Sequence, residues 1–324
     1  MKHAAFIVLF FCLFFFSCSK HIEFTSEEFD GFMPEGINEL LARTENKPWR
    51  GEEFLPGVVG GTWRMVINDD PKSFNHLIAE QDSTTSFIVG NMMDYLVDYD
   101  LIKREWKPRI ASYEIIADEQ NDSLQVIYTL RDDLYWSYYN SDRKEKVTSD
   151  DVIFWYNEIE GDRDSGSSSY NSQFLIMPDG SQSRITISKI DDRSFSFNFP
   201  RIVAEPLLST NRDFGPRHIF EEAKQKGGIN AVKSLFNITF NPQDIPSMGK
   251  WFLVEYVPGL KLVYKRNPNY WIKDSDNVSL PYIEEMILRI IPEESTRLLL
   301  FRRGEIDSYS LRPEDIDLLI NNNR

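Results

Sequence analysis

The sequence predicts a mixed-sheet α/β fold, because short strand patterns separated by turns alternate with a few helices that have recognisable ends. Apolar residues at every second position indicate the strands, and apolar residues three and four apart indicate the helices. Two hairpin patterns fall between residues 185 and 265. Of the 324 residues, 41% are hydrophobic and 27% are charged, which is typical of a globular protein and too apolar for a disordered chain.

In the first half of the chain, strand and helix patterns alternate. Residues 63–67 and 124–130 have strand patterns, whereas residues 86–99 place apolar side chains at helical spacing. Residues 69–73 contain Asp and Pro and therefore indicate a turn.

The clearest helix start is Thr148, because Asp151 follows three residues later and the two approximate a capping box. The apolar run after them predicts a helix, and Gly161 marks its end. Residues 162–183 keep neither periodicity for long, and we expect a flexible loop at 164–169.

The second half of the chain predicts further strands and one helix. The elements are hairpins at 185–199 and 251–265, a strand at 283–291 and a helix at 292–304. Acidic residues begin this helix and Arg302 and Arg303 end it, which suits the direction of the helix dipole.

The N-terminus predicts export. Residues 4–16 carry no charge and follow Lys2 and His3, which is the arrangement of a secretory signal peptide over residues 1–17. A membrane-spanning helix needs about 20 apolar residues, and this run is shorter. A buried N-terminal helix is the alternative.

The end of the apolar run resembles a bacterial lipobox. Ser17 places a small residue directly before Cys18, which would become the lipidated first residue of the mature chain and anchor it to a membrane. Residues 18–57 then form an acidic tether. Cleavage by ordinary signal peptidase remains the alternative. In both cases Cys12 is lost, so no intramolecular disulfide is expected.

Composition and motifs exclude several functional classes. With 36 basic and 51 acidic residues the net charge is −15, which argues against nucleic acid as a partner. The chain has no GxSxG, HExxH, P-loop or GxGxxG motif, and its four histidines are far apart. We therefore expect no metal, no cofactor and no enzymatic activity. A carboxylate-based hydrolase stays open as an alternative, because two catalytic carboxylates need no sequence motif.

Six stretches in the same order resemble the bacterial extracellular solute-binding proteins of family 5, the peptide/nickel type that feeds ABC importers. The stretches are 70–75 (DPKSFN), 107–111 (KPRIA), 128–137 (YTLRDDLYWS), 147–154 (VTSDDVIF), 249–251 with 266–271 (GKW and RNPNYW), and 304–307 (GEID). The chain departs from the family at Tyr138 and Tyr139, where Asp-Gly is usual, and at Lys250 and Trp251, where Pro-Tyr is usual.

The resemblance implies lobe I of a two-lobed, periplasmic-binding-protein-like clamp of type II. Lobe I would occupy residues 58–312, and residues 313–324 would begin the crossover to a second lobe. Family members are usually much longer, so the chain is expected to be truncated, with the second lobe missing and ligand binding impaired. The implied function is the substrate-binding component of an ABC importer for oligopeptides or similar solutes, partnered by permease subunits at the outer side of the membrane.

The resemblance also implies which residues face the ligand. The polar residues after the first strand are on the cleft side of lobe I in the family, and nearby aromatic side chains could line the cleft. The candidates are Asn75, His76, Ser83, Thr84, Thr85, Trp136 and Tyr138. A surface lipoprotein that acts as an adhesin or glycan-binding module is the alternative function.

We expect Cys18→Ala to abolish acylation and to release the chain from the membrane fraction, because Cys18 supplies the only thiol of the mature chain. Radiolabelled palmitate and fractionation of a bacterial expression host measure both effects. Cys12→Ala is the matched control and should change neither, because Cys12 lies in the removed segment. A wild-type chain without label would contradict lipidation and favour ordinary cleavage.

Overall fold

The computed structural model describes residues 57–316. The predicted signal peptide, Cys18 and the predicted tether up to residue 56 lie outside this range. The strands are β1 (Thr62–Ile67), β2 (Val97–Asp100), β3 (Glu105–Pro108), β4 (Ala111–Asp118), β5 (Ser123–Leu130), β6 (Tyr135–Ser137), β7 (Lys144–Lys146), β8 (Phe174–Ile176), β9 (Gln182–Arg184), β10 (Thr186–Lys189), β11 (Ser194–Phe199), β12 (Trp251–Val257), β13 (Lys261–Arg266) and β14 (Glu285–Ile290). The helices are α1 (His76–Ala79), α2 (Ser83–Gly90), α3 (Ser149–Phe154), α4 (Pro206–Thr210), α5 (Arg217–Ser234) and α6 (Glu294–Arg302).

The first sheet joins the beginning of the described chain to its last strands. Its order is β1-β14-β13-β12. β1 and β14 run parallel, with Thr62 opposite Glu285, and the other neighbours are antiparallel. The Thr62 hydroxyl donates to the Glu285 carboxylate at 3.2 Å, across 223 positions of sequence. The sheet therefore brings together strands from both ends of the described chain.

The second sheet is antiparallel and has the order β10-β11-β5-β4. Its central strands are buried because alternating aromatic residues point into one core: Phe195, Phe197 and Phe199 on β11 are all at most 2% exposed. Tyr128 on β5 stacks on Phe195 with ring centroids 5.5 Å apart. The predicted strand at 124–130 and the hairpin at 185–199 are confirmed here.

A buried carboxylate fixes the start of α3. The Asp151 carboxylate accepts from the Thr148 amide at 2.9 Å, and the Thr148 hydroxyl accepts from the Asp151 amide, which together make the predicted capping box. The Thr148 hydroxyl also donates to the Asp151 carboxylate at 3.3 Å. The carboxylate also accepts from the Trp136 indole at 3.2 Å and the Arg217 amide at 3.0 Å. Burial raises the pKa of Asp151, and these hydrogen bonds oppose that rise. The Asp151 side chain therefore hydrogen-bonds residues of β6, of the α3 cap and of the first turn of α5.

The helix that follows the capping box changes form before it ends. α3 continues into a π-helix, Trp155–Glu160, which is capped by the predicted stop at Gly161. A π-helical turn holds one residue more than an α-helical turn and is often found at functional sites.

The predicted helix over residues 86–99 is wrong beyond residue 90. α2 ends at Gly90, and the chain then turns and enters β2. The Met92 carbonyl accepts hydrogen bonds from the amides of Met248 and Gly249, at 3.1 and 2.9 Å, so it is held by another segment and not by a helix. The apolar spacing arose because residues of two different elements are buried in the same core.

The predicted hairpin at 251–265, the strand at 283–291 and the last helix are confirmed as β12–β13, β14 and α6. Within residues 57–316, none of the helices combines the length and apolarity that a membrane crossing requires.

Asp151→Ala should destabilise the protein by at least about 2 kcal/mol, because it leaves several buried donors without an acceptor. Urea unfolding followed by tryptophan fluorescence measures the change. Asp150→Ala is the control one residue away: its partly exposed ion pairs with Lys189 and Arg217 should contribute less than about 1 kcal/mol. Equal losses in both variants would contradict the role of the Asp151 carboxylate.

Gly249→Ala should also destabilise the fold, by about 1–3 kcal/mol, because there is no room for a methyl group. A Cβ on Gly249 would lie 2.6 Å from the Met92 carbonyl carbon and the Met93 amide nitrogen. Gly90→Ala is the control, since a Cβ there meets nothing within 4 Å. The same urea titration reports both variants, and an unchanged midpoint for Gly249→Ala would contradict the close packing.

Candidate functional site

A recess of about 290 Å³ opens where four separate segments meet. These segments are α1, the π-helix, the loop after residue 166 and the connection between α4 and α5. Its lining is unusually rich in ionisable side chains, which include His76, Glu80, Glu160, Arg212 and Asp213.

His76 forms the aromatic side of the recess. It is the first residue of α1 and only 4% exposed, and it packs edge-on against the rings of Trp136, Trp155 and Phe220 at centroid distances of 5.8–6.2 Å. Within the described residues, neither ring nitrogen has a hydrogen-bond partner. Burial lowers the pKa of His76 to about 3, so the ring is neutral at physiological pH.

A buried ion pair lies beside the histidine. The Arg212 guanidinium donates to the Glu160 carboxylate at 3.0 Å, and both side chains are at least nine-tenths buried. Arg212 also donates to the Ser172 hydroxyl at 2.8 Å and to the Ser209 carbonyl at 3.1 Å, which occupies each of its three nitrogens. Burial raises the pKa of Glu160, and the charge of Arg212 opposes this rise.

Two further carboxylates, Glu80 and Asp213, lie close to this ion pair. Withdrawal from water and the negative charge of Glu80 raise the pKa of Asp213, Arg212 opposes both effects, and the net result is a pKa of about 6. Glu80 and Asp213 also act on Glu160 in the same direction. The recess therefore concentrates negative charge that one guanidinium cannot balance.

Glu80 also holds the serine-rich loop of the recess in place. Its carboxylate accepts hydrogen bonds from the Ser167 hydroxyl at 2.7 Å and from the Ser168 amide at 2.9 Å. The side chain of Gln81 donates to the Gly166 carbonyl at 2.6 Å. The segment predicted as a flexible loop, 164–169, begins within the 3₁₀ turn Arg163–Ser165 and is hydrogen-bonded to the end of α1.

Of the candidate ligand-facing residues, the structure brings His76 into the recess and uses several others inside the protein. Asn75 is fully buried and caps α1: its side chain accepts from the Leu77 amide at 2.8 Å and donates to the Val232 carbonyl at 2.6 Å. Thr85 is also buried and bonds the Asp82 carboxylate at the start of α2. These contacts give both residues a role in positioning α1 and α2.

The other candidates lie elsewhere. Trp136 is fully buried, and its indole donates a hydrogen bond to Asp151. Its ring packs edge-on against His76, which lines the recess. Tyr138 is half-buried, and its hydroxyl is 2.7 Å from His218 Nε2. Ser83 is exposed and Thr84 half-buried at the start of α2. None of these four side chains lines the recess, and their contact with a ligand remains a prediction.

The sequence did not single out Glu80, Glu160, Arg212 or Asp213. Glu80 follows His76 by one helical turn, which is a weak signal in such an acidic chain. Glu160 and Arg212 are 52 positions apart, and only the fold pairs them.

Comparison with known proteins gives the same family as the sequence motifs. The family model described as "Bacterial extracellular solute-binding proteins, family 5 Middle" matches residues 99–324. A probable ABC transporter-binding protein from Deinococcus radiodurans is 28% identical over 291 residues, which are 88% of this chain and 46% of that protein. The chain therefore spans about half the length of the relatives it matches.

Solved structures of periplasmic binding proteins share the fold. MelB from Agrobacterium fabrum, solved in complex with stachyose, has a TM-score of 0.65 and 23% identity, over 89% of this chain and 45% of its own. DppA from Helicobacter pylori, in complex with the peptide STSA, has a TM-score of 0.61 and 18% identity, over 82% of this chain and 49% of its own. Each alignment covers about half of the longer protein, as expected for one lobe, and the predicted fold is confirmed. The chain belongs to the bacterial extracellular solute-binding proteins of family 5.

Proposed function

We propose that residues 57–316 form one wall of a solute-binding clamp and that the recess beside His76 holds part of the solute. The observation that supports this is an open recess with buried, unpartnered hydrogen-bonding atoms on His76. Buried polar atoms are normally paired, and an exception at the edge of a recess indicates a missing partner. A bound solute would supply that partner.

The wider role that we propose is the substrate-binding component of an ABC importer for oligopeptides or similar solutes. Family membership and the relative named as a probable ABC transporter-binding protein support it. The chain would be exported by the signal peptide at 1–17, anchored through lipid at Cys18, and would deliver its solute to permease subunits. Binding and delivery need no chemical step, so we assign no catalytic residue.

The geometry also supports weak binding by the 324-residue chain alone. A clamp gains affinity when the solute contacts both lobes and so shifts the equilibrium between open and closed states. The recess offers contacts from one side. We therefore expect dissociation constants on the order of 1 mM for short peptides.

Ligand-observed NMR with the purified chain and a panel of short peptides tests this function. We expect weak binding that Leu208→Trp abolishes, because Leu208 lines the recess, is 68% exposed and can carry a larger ring without disturbing the core. Leu260→Trp is the matched control on the exposed β12–β13 turn and should leave binding unchanged.

Two results would contradict the proposal. Peptide binding that survives Leu208→Trp would place the solute elsewhere on the protein. Micromolar affinity of the 324-residue chain would show that one wall is sufficient, against the expected weak binding.

A further inference from the structure

We propose that the recess selects a solute group with a positive charge, an amine or a guanidinium. This inference rests on the proposed function and adds the chemical class of the group that the recess recognises.

The charges that line the recess do not balance. Three carboxylates, those of Glu80, Glu160 and Asp213, line the recess together with a single guanidinium, that of Arg212. Burial raises the pKa of Glu160 to about 8, so near pH 7 Arg212 stands against the charges of Glu80 and Asp213 and can cancel at most one of those two. The hydrogen bonds of Arg212 already join it to Glu160, Ser172 and Ser209. His76 adds no positive charge because its ring is buried and neutral.

Arg212 makes no hydrogen bond to the other two carboxylates, those of Glu80 and Asp213. Within residues 57–316, neither Glu80 nor Asp213 has a Lys or Arg nitrogen within 4.0 Å, although 23 other contacts of this kind occur in that range. Carboxylates of like charge in a recess destabilise one another. A cation placed between Glu80 and Asp213 would remove that repulsion.

His76 is the independent observation that points to a ligand. The side chain is nine-tenths buried, lines the recess, and has two unpartnered ring nitrogens. A neutral imidazole donates from one nitrogen and accepts at the other. Both nitrogens are enclosed by protein, so a turn of the ring toward the recess would let one of them accept a hydrogen bond from an ammonium or guanidinium that the carboxylates attract.

The size of the recess suits an organic cation. A volume of about 290 Å³ corresponds to about ten waters, which suits one side chain or a molecule the size of an amino acid. No group of three or more His, Cys, Asp or Glu residues is placed to hold a metal ion in the part of the chain that the structure describes. The lining thus favours the side chain or N-terminus of a basic peptide.

Three tripeptides that differ only at the central residue test the inference: Gly-Lys-Gly, Gly-norleucine-Gly and Gly-Glu-Gly, each with blocked ends. By ligand-observed NMR with the purified chain, we expect the lysine peptide to bind about tenfold more tightly than the norleucine peptide, as a charge-assisted hydrogen bond provides. The glutamate peptide should not bind.

Two double variants show which carboxylates produce the preference for the lysine peptide. The double variant Glu80→Gln with Asp213→Asn should bind lysine and norleucine peptides equally. Glu114→Gln with Glu119→Gln removes the same charge from exposed positions and should keep the tenfold preference. Equal loss in both double variants would attribute the preference to net charge and overturn the inference.

The pH gives a second readout. Asp213 shares the recess with Glu80, Glu160, Arg212 and His76 and also lies near Tyr95, whose pKa its charge raises. The pKa of Asp213, about 6, means that acidification removes its charge. The lysine preference should therefore weaken by up to about tenfold between pH 7.5 and pH 5, because the ionised fraction falls by that factor. An unchanged preference over this range would exclude Asp213 from cation binding.

The remaining outcomes separate this inference from the proposed function. Equal binding of the lysine and norleucine peptides by the unmodified chain overturns the inference and leaves the solute-binding role intact. Absence of binding by every peptide overturns both. Displacement of the lysine peptide by Ni²⁺ alone, at lower concentration, would assign the carboxylates to a metal and overturn the inference.

Discussion

The buried carboxylate of Asp151 is the constraint on which the recess depends. It fixes the N-terminus of α3 through Thr148, and thus the phase of the π-helix that places Trp155 and Glu160 at the recess. It also holds the first amide of α5, just after the segment that carries Arg212 and Asp213. Its contact with Trp136 completes the aromatic wall around His76. Two walls of the recess are therefore positioned by one side chain that lies outside it.

Stability alone does not explain the ionised lining. Burying a carboxylate and a guanidinium costs desolvation free energy that their mutual attraction only partly offsets, and apolar residues of the same volume would often serve as well. The pair between Glu160 and Arg212 and the unpartnered nitrogens of His76 are thus features that packing does not require. Features of this kind concentrate where a protein binds something, because the partner compensates for them.

Local patterns in the sequence predicted the parts of the fold that are set locally. The alternation in β5 and β11 and the capping box at Thr148 specify their elements through neighbours a few residues away. The helix expected over 86–99 failed because Met92 and Gly249 meet across the fold. His76 was found through its position after the first strand, whereas Glu160 and Arg212 become partners only after folding. The stretches that resemble the family belong to the scaffold. Most residues that line the recess fall between these stretches in the sequence.

The parallel pairing of β1 with β14 has a consequence for the order in which the two sheets form. β1 emerges early from the ribosome or the export channel, and its partner in the sheet follows 223 positions later. Closing so long a loop is entropically unfavourable, and contacts of such separation form slowly. The second sheet, whose four strands all lie between residues 111 and 199, can assemble well before that. We therefore expect the first sheet to be completed after the second, and until β14 is made β1 has no partner strand.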